Sequence, residues 1–423
     1  MMRSLFAAVS GLKCHQQRMD VIGNNIANVN TPGYKKSRVN FQDMLNQTIR
    51  GASRPVPGGR GGTNPMQIGP GVSVGSIDVI MGGSSVQDTG KNTDLGIDGD
   101  GFFILSDGSR NYYSRVGSFD FDEEGNLVSL LHGLRVMGWM PDDPDNLTNI
   151  KLNLNESENA KATTNMTFGG NLDCRAELYD STNPDPKSKI VLRHTVYDSK
   201  GQEYMVSIAV TKTIDVDKWD SNKWDWTLES IIDPSGEDIK PAGDQRGLIQ
   251  FDENGKFDGV PADSNMIVFT PDGSAPLNIT LDFTKLTQYG SPSNADIESQ
   301  NGYKSGTLES YAIDQSGAIE GVFSNGVSRR LGQIALSRFT NPAGLFKEGN
   351  SLYSVTSNSG TPNIDIAGSS GFGTVKPGSL EMSNVDLSSE FTEMIITQRG
   401  FQANSRVITA SDEMLQELVN LKR

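Results

Sequence analysis

Lys161 and Cys174 are the pair of residues in this sequence whose side-chain types most suggest a covalent reaction. They flank the segment TTNMTFGGNLD. A cysteine that loses its sulfur becomes dehydroalanine, an electrophile that a lysine amine can attack. A small buried cysteine and a surface lysine account for the same pair without any chemistry, since free cysteines are usually buried. The residues alone favour this simpler interpretation and leave the reactive one open.

The sequence lacks the residue patterns of common catalytic and metal sites. The three histidines, His15, His132 and His194, are scattered, and no zinc-type spacing of histidine or cysteine occurs. The string IDGDGFF contains Gly99 and Gly101 but no third fingerprint glycine, so it indicates a tight turn before a strand rather than a dinucleotide loop. We therefore expect no catalytic residue, no cofactor and no metal, and the chain is not predicted to be an enzyme.

Clustered carboxylates in this sequence fall in predicted turns. FDENGKF, which begins a calcium-like loop at Asp252, has Lys256 where such a loop needs an oxygen ligand, and no glutamate follows at the twelfth position. The strings FDFDEEGN and MPDDPDN likewise place their carboxylates in predicted turns. Each is typical of a solvated turn between strands.

The composition excludes several classes of protein. The 423 residues carry a net charge of −15 and no dense block of lysine or arginine, which argues against binding to a nucleic-acid duplex. A hydrophobic content of 35% with 46 glycines suits β-rich domains with many tight turns. No apolar run reaches the ~18 residues of a membrane span. Only two cysteines occur, Cys14 and Cys174, far apart in the chain, so no disulfide is expected.

Both ends of the chain have the periodicity of long amphipathic helices. Thr31-Pro32-Gly33 ends the first helix, whose 26 or so residues at ~1.5 Å each make a rod about 40 Å long. Ser388 or Ser389 is expected to cap the second helix, which ends on the cations Lys422 and Arg423. The predicted apolar stripes are Leu5, Val9, Leu12, Met19, Ile22, Ile26 and Val29 in the first helix, and Leu387, Phe391, Met394, Phe401, Ile408, Leu415 and Val419 in the second.

These two stripes are the predicted assembly interface. The terminal helices can pair with each other within one chain as a two-helix coiled coil. One such pair leaves much apolar surface uncovered, however, which favours lateral association with further copies of the chain.

Strand and turn signals dominate between the helices, so the predicted fold is mainly β with paired terminal α-helices in nested, discontinuous domains. Residues 1–30 and 385–423 form the helical domain, and the Gly/Pro-rich residues 31–72 an extended connection. Residues 73–149 and 300–384 form an inner β domain. Residues 150–299 form an inserted outer β domain with Trp219, Trp224 and Trp226, of which the last two share one strand face.

Three motifs in order give the chain a family resemblance. NNIANVNTPGYKK, from Asn24, resembles the N-terminal signature of flagellar rod and hook proteins. DLGIDGDGFFIL, from Asp94, and YSRVGSFDFDEEGNLVSLLHGLRVMGW, from Tyr113, resemble their central motif. SLEMSNVDLSSEFTEMIITQRGFQANSRVITASDEMLQELVNLKR, from Ser379, is similar to their C-terminal signature. The length and the single inserted domain match a hook subunit. A distal rod subunit and a secreted adhesion module are the alternatives.

The resemblance implies a helical tube of identical subunits around an export channel, acting as a universal joint that transmits torque from rod to filament. The terminal helices would line the tube wall, and residues 34–71 would brace neighbours. The implied partners are further copies of the chain, the rod, hook-cap and hook–filament junction proteins, and the type III export apparatus. Export by that route keeps the N-terminus, which fits the absence of an A-x-A cleavage site.

Spirochaete hooks give the reactive pair more weight. They resemble this chain in carrying a lysine and a cysteine in this region, joined between subunits as lysinoalanine. The resemblance therefore implies an inter-subunit cross-link between Lys161 and Cys174. If the source is a spirochaete, the flagellum that carries it is periplasmic.

Overall fold

Two terminal helices enclose a long β-rich sequence. The computed structural model describes residues 2–55, 61–153, 157–179, 188–215, 220–239, 243, 245–259, 265–271 and 273–421. Helix α1 is Met2–Ala27 and helix α2 is Leu387–Asn420. The mainly β fold with helices at both ends is as predicted.

The strands are short and closely spaced along the chain. The first twelve are β1 (Ser37–Asp43), β2 (Gln47–Arg50), β3 (Met66–Ile68), β4 (Val72–Val79), β5 (Val86–Asp88), β6 (Leu95–Asp98), β7 (Phe102–Ser106), β8 (Asn111–Ser114), β9 (Phe119–Phe121), β10 (Leu127–Ser129), β11 (Arg135–Met140) and β12 (Asp143–Asn149). The next eleven are β13 (Ser157–Glu158), β14 (Asn165–Asp173), β15 (Lys189–Tyr197), β16 (Glu203–Asp215), β17 (Asp220–Ile232), β18 (Arg246–Phe251), β19 (Phe257–Gly259), β20 (Met266–Phe269), β21 (Leu277–Tyr289), β22 (Asp296–Gln300) and β23 (Gly306–Ile313). The last seven are β24 (Ala318–Phe323), β25 (Ser328–Arg338), β26 (Phe346–Gly349), β27 (Leu352–Ser354), β28 (Asn363–Ile366), β29 (Thr374–Pro377) and β30 (Ser379–Glu381).

The first compact unit contains both helices and comprises Met1–Asn153, Tyr311–Gly321 and Arg329–Arg423. Its central strand is β7, which pairs with β8, β11 and β25 and is buried along its whole length. The core beside it is aromatic: the Phe339 ring meets those of Phe102 and Tyr113 edge to face at centroid distances of 5.8 and 4.8 Å. Two chain segments, one before and one after the inserted residues, thus share one core.

The second compact unit comprises Leu154–Ser310 and Val322–Ser328. It has a five-stranded sheet in the order β15-β16-β17-β18-β19 and a four-stranded sheet in the order β20-β21-β14-β22. Alternate residues of β21 are buried, as expected for a strand with one face on a core. Trp224 and Trp226 from one sheet and Phe168 and Phe283 from the other belong to a single core cluster, so the sheets pack face to face.

Most local predictions agree with the structure. Trp224 and Trp226 do share one buried strand face, whereas Trp219, Lys422 and Arg423 lie outside the described residues. The cap of α2 is neither predicted serine: the Asp386 carboxylate accepts a hydrogen bond from the Ser388 backbone N–H at 2.9 Å.

Two segments are more regular than predicted. The string MPDDPDN is a turn only at its start, because β12 begins at Asp143 and pairs with β11. The Gly/Pro-rich connection contains a hairpin of β2 and β3, closed further out by paired hydrogen bonds between Ser53 and Thr63.

Candidate assembly interface

Helices α1 and α2 lie side by side along a seam of small residues. A Cβ atom added to Gly11 would lie 2.8 Å from the Asn404 side chain, and one added to Gly400 would lie 2.6 Å from the His15 ring. The Arg18 guanidinium also donates to the Glu393 carboxylate at 3.0 Å. Gly11 and Gly400 therefore leave room for the Asn404 and His15 side chains of the opposite helix.

The buried side of α2 is polar rather than apolar. Its buried residues are Glu390, Thr397 and Ser411. The Thr397 and Ser411 hydroxyls donate to the backbone carbonyls of Glu393 and Val407, both at 2.7 Å, so they are satisfied within the helix. The large apolar side chains of α2 are thus left for other surfaces.

The predicted stripe lies along one edge of the seam, which we call flank A. In α2, Met394, Ile408 and Leu415 are half-buried, while the other four predicted residues are exposed, at 39% (Leu387), 50% (Phe391), 41% (Phe401) and 66% (Val419). In α1, Ile22 is buried and Val9 is exposed; Leu5, Leu12, Met19 and Ile26 are half-buried.

A second exposed apolar row, which we call flank B, follows α2 on another side. It consists of Ile396, Val407, Met414, Leu418 and Leu421, which are 57%, 43%, 50%, 48% and 83% exposed. Their steps of eleven, seven, four and three residues all return to the same side of an α-helix. The sequence signal was present but missed, because Gly400, Ala403 and Ala410 fill the intervening positions of this row.

Asn25 joins the end of α1 to strand β1. Its side-chain amide donates to the Ser37 carbonyl at 2.9 Å and accepts from the Ser37 N–H at 3.0 Å, as a neighbouring strand residue would. The amide also donates to Glu390 of α2 at 3.1 Å, and the Tyr34 hydroxyl donates to its oxygen at 3.3 Å. Only an amide side chain supplies donor and acceptor together in this way.

A buried charge cluster forms around Glu381 in β30. The Lys35 ammonium donates to one carboxylate oxygen at 2.6 Å, and the Arg115 guanidinium approaches the other at 3.4 Å. The side chains of Lys35 and Glu381 are fully buried. Each cation has a second partner, the Gly82 carbonyl for Lys35 and the Gly99 carbonyl for Arg115, both at 2.8 Å. Burial lowers the pKa of Lys35, which the adjacent carboxylate partly offsets.

The cluster explains why three distant motifs occur together. Lys35 belongs to the N-terminal motif, Arg115 to the central motif and Glu381 to the C-terminal motif. A backbone hydrogen bond also joins the N-terminal and C-terminal motifs, since the Gly33 N–H donates to the Glu381 carbonyl at 2.8 Å. Gly33 has a φ of 65°, and a Cβ there would lie 2.8 Å from the Val116 side chain.

The reactive pair sits at opposite ends of strand β14. Both side chains are exposed, Lys161 four residues before the strand and Cys174 directly after it. Nine residues of strand span roughly 26–30 Å, far beyond the reach of a lysine side chain. The two residues of one chain are therefore held apart, and the predicted burial of Cys174 in the simpler interpretation is wrong.

The backbone around Cys174 is firmly held. Its N–H donates to the Tyr289 carbonyl at 3.1 Å, and the buried Lys212 ammonium donates to its carbonyl at 2.5 Å and to that of Ala176 at 2.8 Å. Burial lowers the pKa of Lys212. Cys14, the other thiol, is buried on α1, and both cysteines are free.

The carboxylate clusters at Asp122 and Asp252 are turns in the structure. The Asp252 carboxylate accepts from the backbone N–H groups of Asn254 and Lys256 at 2.9 and 2.7 Å, and that of Asp122 accepts from Asn126 at 2.7 Å. Within the described ranges, no group of three or more metal-binding side chains converges. No helix in the described part of the chain is both long and apolar enough to cross a membrane.

Family profiles match four stretches of the chain. They are described as flagella basal body rod protein (residues 5–35), flagellar hook protein FlgE/F/G D1 domain (96–167), flagellar basal body protein FlaE D2 domain (171–303) and flagellar basal body rod FlgEFG protein C-terminal (376–421). Together they cover more than half of the sequence.

Individual proteins agree with the profiles. The flagellar hook protein FlgE of Borreliella burgdorferi is 42% identical over the whole of both chains. The flagellar basal-body rod protein FlgG of Bacillus subtilis is 32% identical, also over the whole of both chains. The crystal structure of Helicobacter pylori flagellar hook protein FlgE2 has a similar fold, with a TM-score of 0.56 at 15% identity over 70% of this chain and all of that one.

Glu381→Gln should destabilise the first unit strongly. The substitution leaves the buried Lys35 and Arg115 charges without a carboxylate, a loss typically of about 3–5 kcal/mol. Urea unfolding followed by circular dichroism measures it. Asp88→Asn is the matched control, because it breaks the exposed Lys376–Asp88 pair and should change the free energy of unfolding by less than about 1 kcal/mol. Equal effects of the two substitutions would contradict the role of the cluster.

Tyr353 should make the fold sensitive to alkali. Burial raises the pKa of Tyr353 to about 12, against 10.0 for a free tyrosine. Above pH 10 the unfolded chain loses this proton first, so the free energy of unfolding falls by up to roughly 3 kcal/mol as pH rises to 12. The buried hydroxyl has no hydrogen-bond partner within the described residues, so Tyr353→Phe should keep the fold and remove this part of the pH dependence. Identical alkaline unfolding profiles for the two proteins would refute the prediction.

Proposed function

Because the chain belongs to the FlgE family of flagellar hook proteins, we propose that it assembles with copies of itself into a curved, flexible tube that transmits torque from rod to filament. It is a structural subunit of the bacterial flagellar hook and part of the flagellum. The observation that carries the proposal is the inverted character of α2: its fully buried residues are polar, and most of its large apolar side chains are exposed.

The two apolar flanks of α2 can be covered only by neighbours on two sides of the helix. The seam with α1 already occupies one side of α2, whereas flank B and four of the seven α2 residues of flank A remain exposed. Exposed apolar rows of this length are typical of surfaces that associate. A helical polymer supplies them with identical neighbours, because a heterologous contact that does not close into a ring repeats indefinitely. We therefore propose that both flanks pack against helices of adjacent subunits.

The β-rich parts suit contacts of another kind. The chain is acidic overall, with a net charge of −15, and its β strands carry many polar residues on their exposed faces. Surfaces of this kind meet through water and exchange partners more readily than apolar helices do. We propose that they slide as the tube bends, while the helix contacts remain permanent.

A rod subunit is the second candidate. The relation to a rod protein is 32% identical, against 42% for a hook protein, and the D2 profile matches residues 171–303. These comparisons favour the hook over the distal rod. We also infer that the chain is not an enzyme, since its relatives are structural proteins and its carboxylate clusters at Asp122 and Asp252 are turns.

The family resemblance also supports proposals for the partners, the location and the domain bounds of the chain. We propose the rod, the hook cap, the hook–filament junction proteins and the type III export apparatus as partners, and a periplasmic flagellum, as in a spirochaete. We also keep the division predicted from sequence: residues 1–30 and 385–423 for tube-lining helices, 31–72 for the connection, 73–149 and 300–384 for the inner β domain, and 150–299 for the outer one.

We further propose that Lys161 of one subunit and Cys174 of another form lysinoalanine. Cys174 loses its Cα proton to solvent base and its sulfur as hydrogen sulfide, and the Lys161 amine then adds to the resulting Cβ while Cα takes up a proton. Three observations support this: both side chains are exposed, the length of β14 keeps them apart within a chain, and the Lys212 ammonium on the Cys174 carbonyl favours the enolate formed when the proton leaves.

A single charge on either flank should block tube formation without unfolding the chain. Phe401→Asp on flank A and Met414→Asp on flank B each place an anion on a surface from which a neighbouring helix must exclude water. Electron microscopy of cells that express each variant should show no hooks. Gln402→Asp is the matched control, since it adds the same charge at an exposed polar position of α2 and should leave hooks intact.

Unchanged tryptophan fluorescence and circular dichroism of the purified variants would separate lost assembly from lost folding. Normal hooks built from both flank variants would show that the flanks are not the interface.

Isolated hooks should give a ladder of covalent multimers on denaturing, reducing electrophoresis. Cys174→Ser and Lys161→Arg should each reduce the ladder to monomer, because each removes one of the two reacting atoms. Cys14→Ser controls for the general loss of a thiol and should retain the ladder. A monomer band from unsubstituted hooks would remove the cross-link and leave the structural function untouched.

A further inference from the structure

Lys212 is a buried cation whose hydrogen bonds go to backbone carbonyls. It lies in β16 and is 6% exposed, and its ammonium donates to the Cys174 carbonyl at 2.5 Å and to the Ala176 carbonyl at 2.8 Å. Among the described residues, no carboxylate is within ion-pair distance of this ammonium. Burying an ammonium without a carboxylate partner is costly, so stability alone does not account for a lysine at this position.

The backbone of Lys212 fixes this arrangement. Its N–H donates to the Ser188 carbonyl at 3.1 Å, and its carbonyl accepts from the Tyr179 N–H at 3.2 Å. The ammonium and the backbone of one residue therefore bind both ends of the segment 174–179. Burial lowers the pKa of Lys212, and the negative charges of the Cys174 thiolate and of Asp173 partly offset this effect.

A second cation lies on the sulfur side of Cys174. The Asp173 carboxylate holds the Arg175 guanidinium through two hydrogen bonds of 3.0 Å. A Cβ atom added to Gly290 would lie 3.7 Å from Cys174 Sγ and 3.9 Å from Arg175 Nε, so the sulfur and the guanidinium border the same space above Gly290. The hydrogen bond to Asp173 is the main cause of the raised pKa of Arg175, and the charge of the Cys174 thiolate adds to it.

The two cations adjoin the two atoms on which an elimination from cysteine places negative charge. When a base removes the Cα proton, the charge moves to the carbonyl oxygen of the same residue, which becomes an enolate oxygen. When the Cβ–Sγ bond then breaks, the bonding electrons leave with the sulfur as hydrosulfide. Donors that are already in place where charge develops stabilise such a transition state, since they need no reorganisation.

We propose that Lys212 and Arg175 make Cys174 an elimination site, in which the Lys212 ammonium is the catalytic group that stabilises the enolate and the Arg175 guanidinium stabilises the departing hydrosulfide. Hydroxide takes the Cα proton to give water, and the Cα=Cβ double bond forms as the Cβ–Sγ bond breaks. The product is dehydroalanine at position 174. This assignment rests on the proposed cross-link and names the residues of its first step.

The site is complete within one chain. Lys212, Arg175 and Cys174 all belong to the second unit, so the elimination needs no partner, whereas the addition of the Lys161 amine needs a second subunit. Cys14 provides the contrast, because it lies within α1, where helical hydrogen bonding gives its carbonyl a neutral backbone N–H. We therefore expect Cys14 to keep its sulfur.

Release of hydrogen sulfide by the purified full-length chain at alkaline pH tests the role of Lys212. Lys212→Met keeps most of the side-chain volume but removes the charge, and it should slow the release at least roughly tenfold. Oxyanion donors in enclosed sites contribute about 10²–10³, and the exposure of Cys174 reduces this. Lys212→Arg retains a cation and should recover most of the rate, which a loss of structure would not allow.

Lys223→Met is the matched control for the loss of a buried lysine. Lys223 is 8% exposed in β17 of the same sheet, but it precedes Trp224, the residue opposite Lys212, and so points to the other face. This variant should release sulfide at the rate of the unsubstituted chain. Equal rates for Lys212→Met and the unsubstituted chain, or no sulfide from the unsubstituted chain, would overturn the proposal.

Arg175→Gln should have a smaller effect, roughly two- to fivefold, because its side chain is 63% exposed and water screens its charge. Lys285→Gln is its control, since it removes the cation of the exposed Lys285–Glu298 pair and should leave the rate unchanged. A rate in Arg175→Gln no lower than in this control would refute the part of the guanidinium. Mass spectrometry of peptides should locate the lost sulfur at position 174.

Rescue in hooks separates catalysis from architecture. Hooks of a chain with Lys212→Met and Cys14→Ser should give mostly monomer on denaturing, reducing electrophoresis. A dibromide reagent that converts exposed cysteines to dehydroalanine bypasses the elimination, so treated hooks should regain the ladder once mass spectrometry confirms the conversion at position 174. Treated hooks that remain monomeric would show that Lys212 shapes the contact between subunits and would overturn its catalytic role.

The cross-link and the elimination site can fail separately. Unsubstituted hooks that remain monomeric, although the purified chain releases sulfide in a manner that depends on Lys212, would refute the cross-link and leave the elimination site intact. A ladder that persists undiminished in Lys212→Met hooks would refute the site and leave the cross-link intact.

Discussion

Everything in the first unit depends on one buried carboxylate with two cations. Glu381 holds the buried side chains of Lys35 and Arg115, and removing Glu381 leaves two buried cations without a carboxylate. These residues come from three parts of the chain, the last 346 residues from the first. A buried ion pair contributes little net stability compared with apolar packing, but it accepts only one arrangement of its partners. The cluster therefore fixes where the helices leave the β core.

This fixed junction determines what the helices expose. Asn25 ties α1 to β1 and, through Glu390, to the first turn of α2, so the helix pair begins in one defined rotation. Farther along the pair, Gly11 and Gly400 accommodate side chains of the opposite helix. The seam leaves many of the large apolar side chains of the two helices exposed or only half-buried within the chain. A wide apolar seam would have produced a stable monomer instead.

Local signals in the sequence predicted the elements, and long-range contacts decided the details. The period of the apolar residues located both helices, and alternation located strands such as β16 and β21. The roles of Asn25, Glu381 and Asp386 could not be predicted, because each depends on a partner that only the folded chain supplies. Ser388 and Ser389 are ordinary capping residues, but α2 begins at Leu387, so the cap position falls on Asp386. Flank B was missed for a different reason: its small residues carry little hydrophobic signal.

The buried charge cluster and the exposed polar surfaces differ in how much displacement they tolerate. A buried charge cluster has a single low-energy geometry, since any displacement breaks a charged hydrogen bond in a medium of low dielectric constant. Water-covered polar surfaces have many geometries of nearly equal energy. If a tube of these subunits is to bend at every turn, the water-covered polar contacts must take up the strain. The first unit can then keep its helices in register while the exposed β surfaces of neighbouring subunits change their alignment.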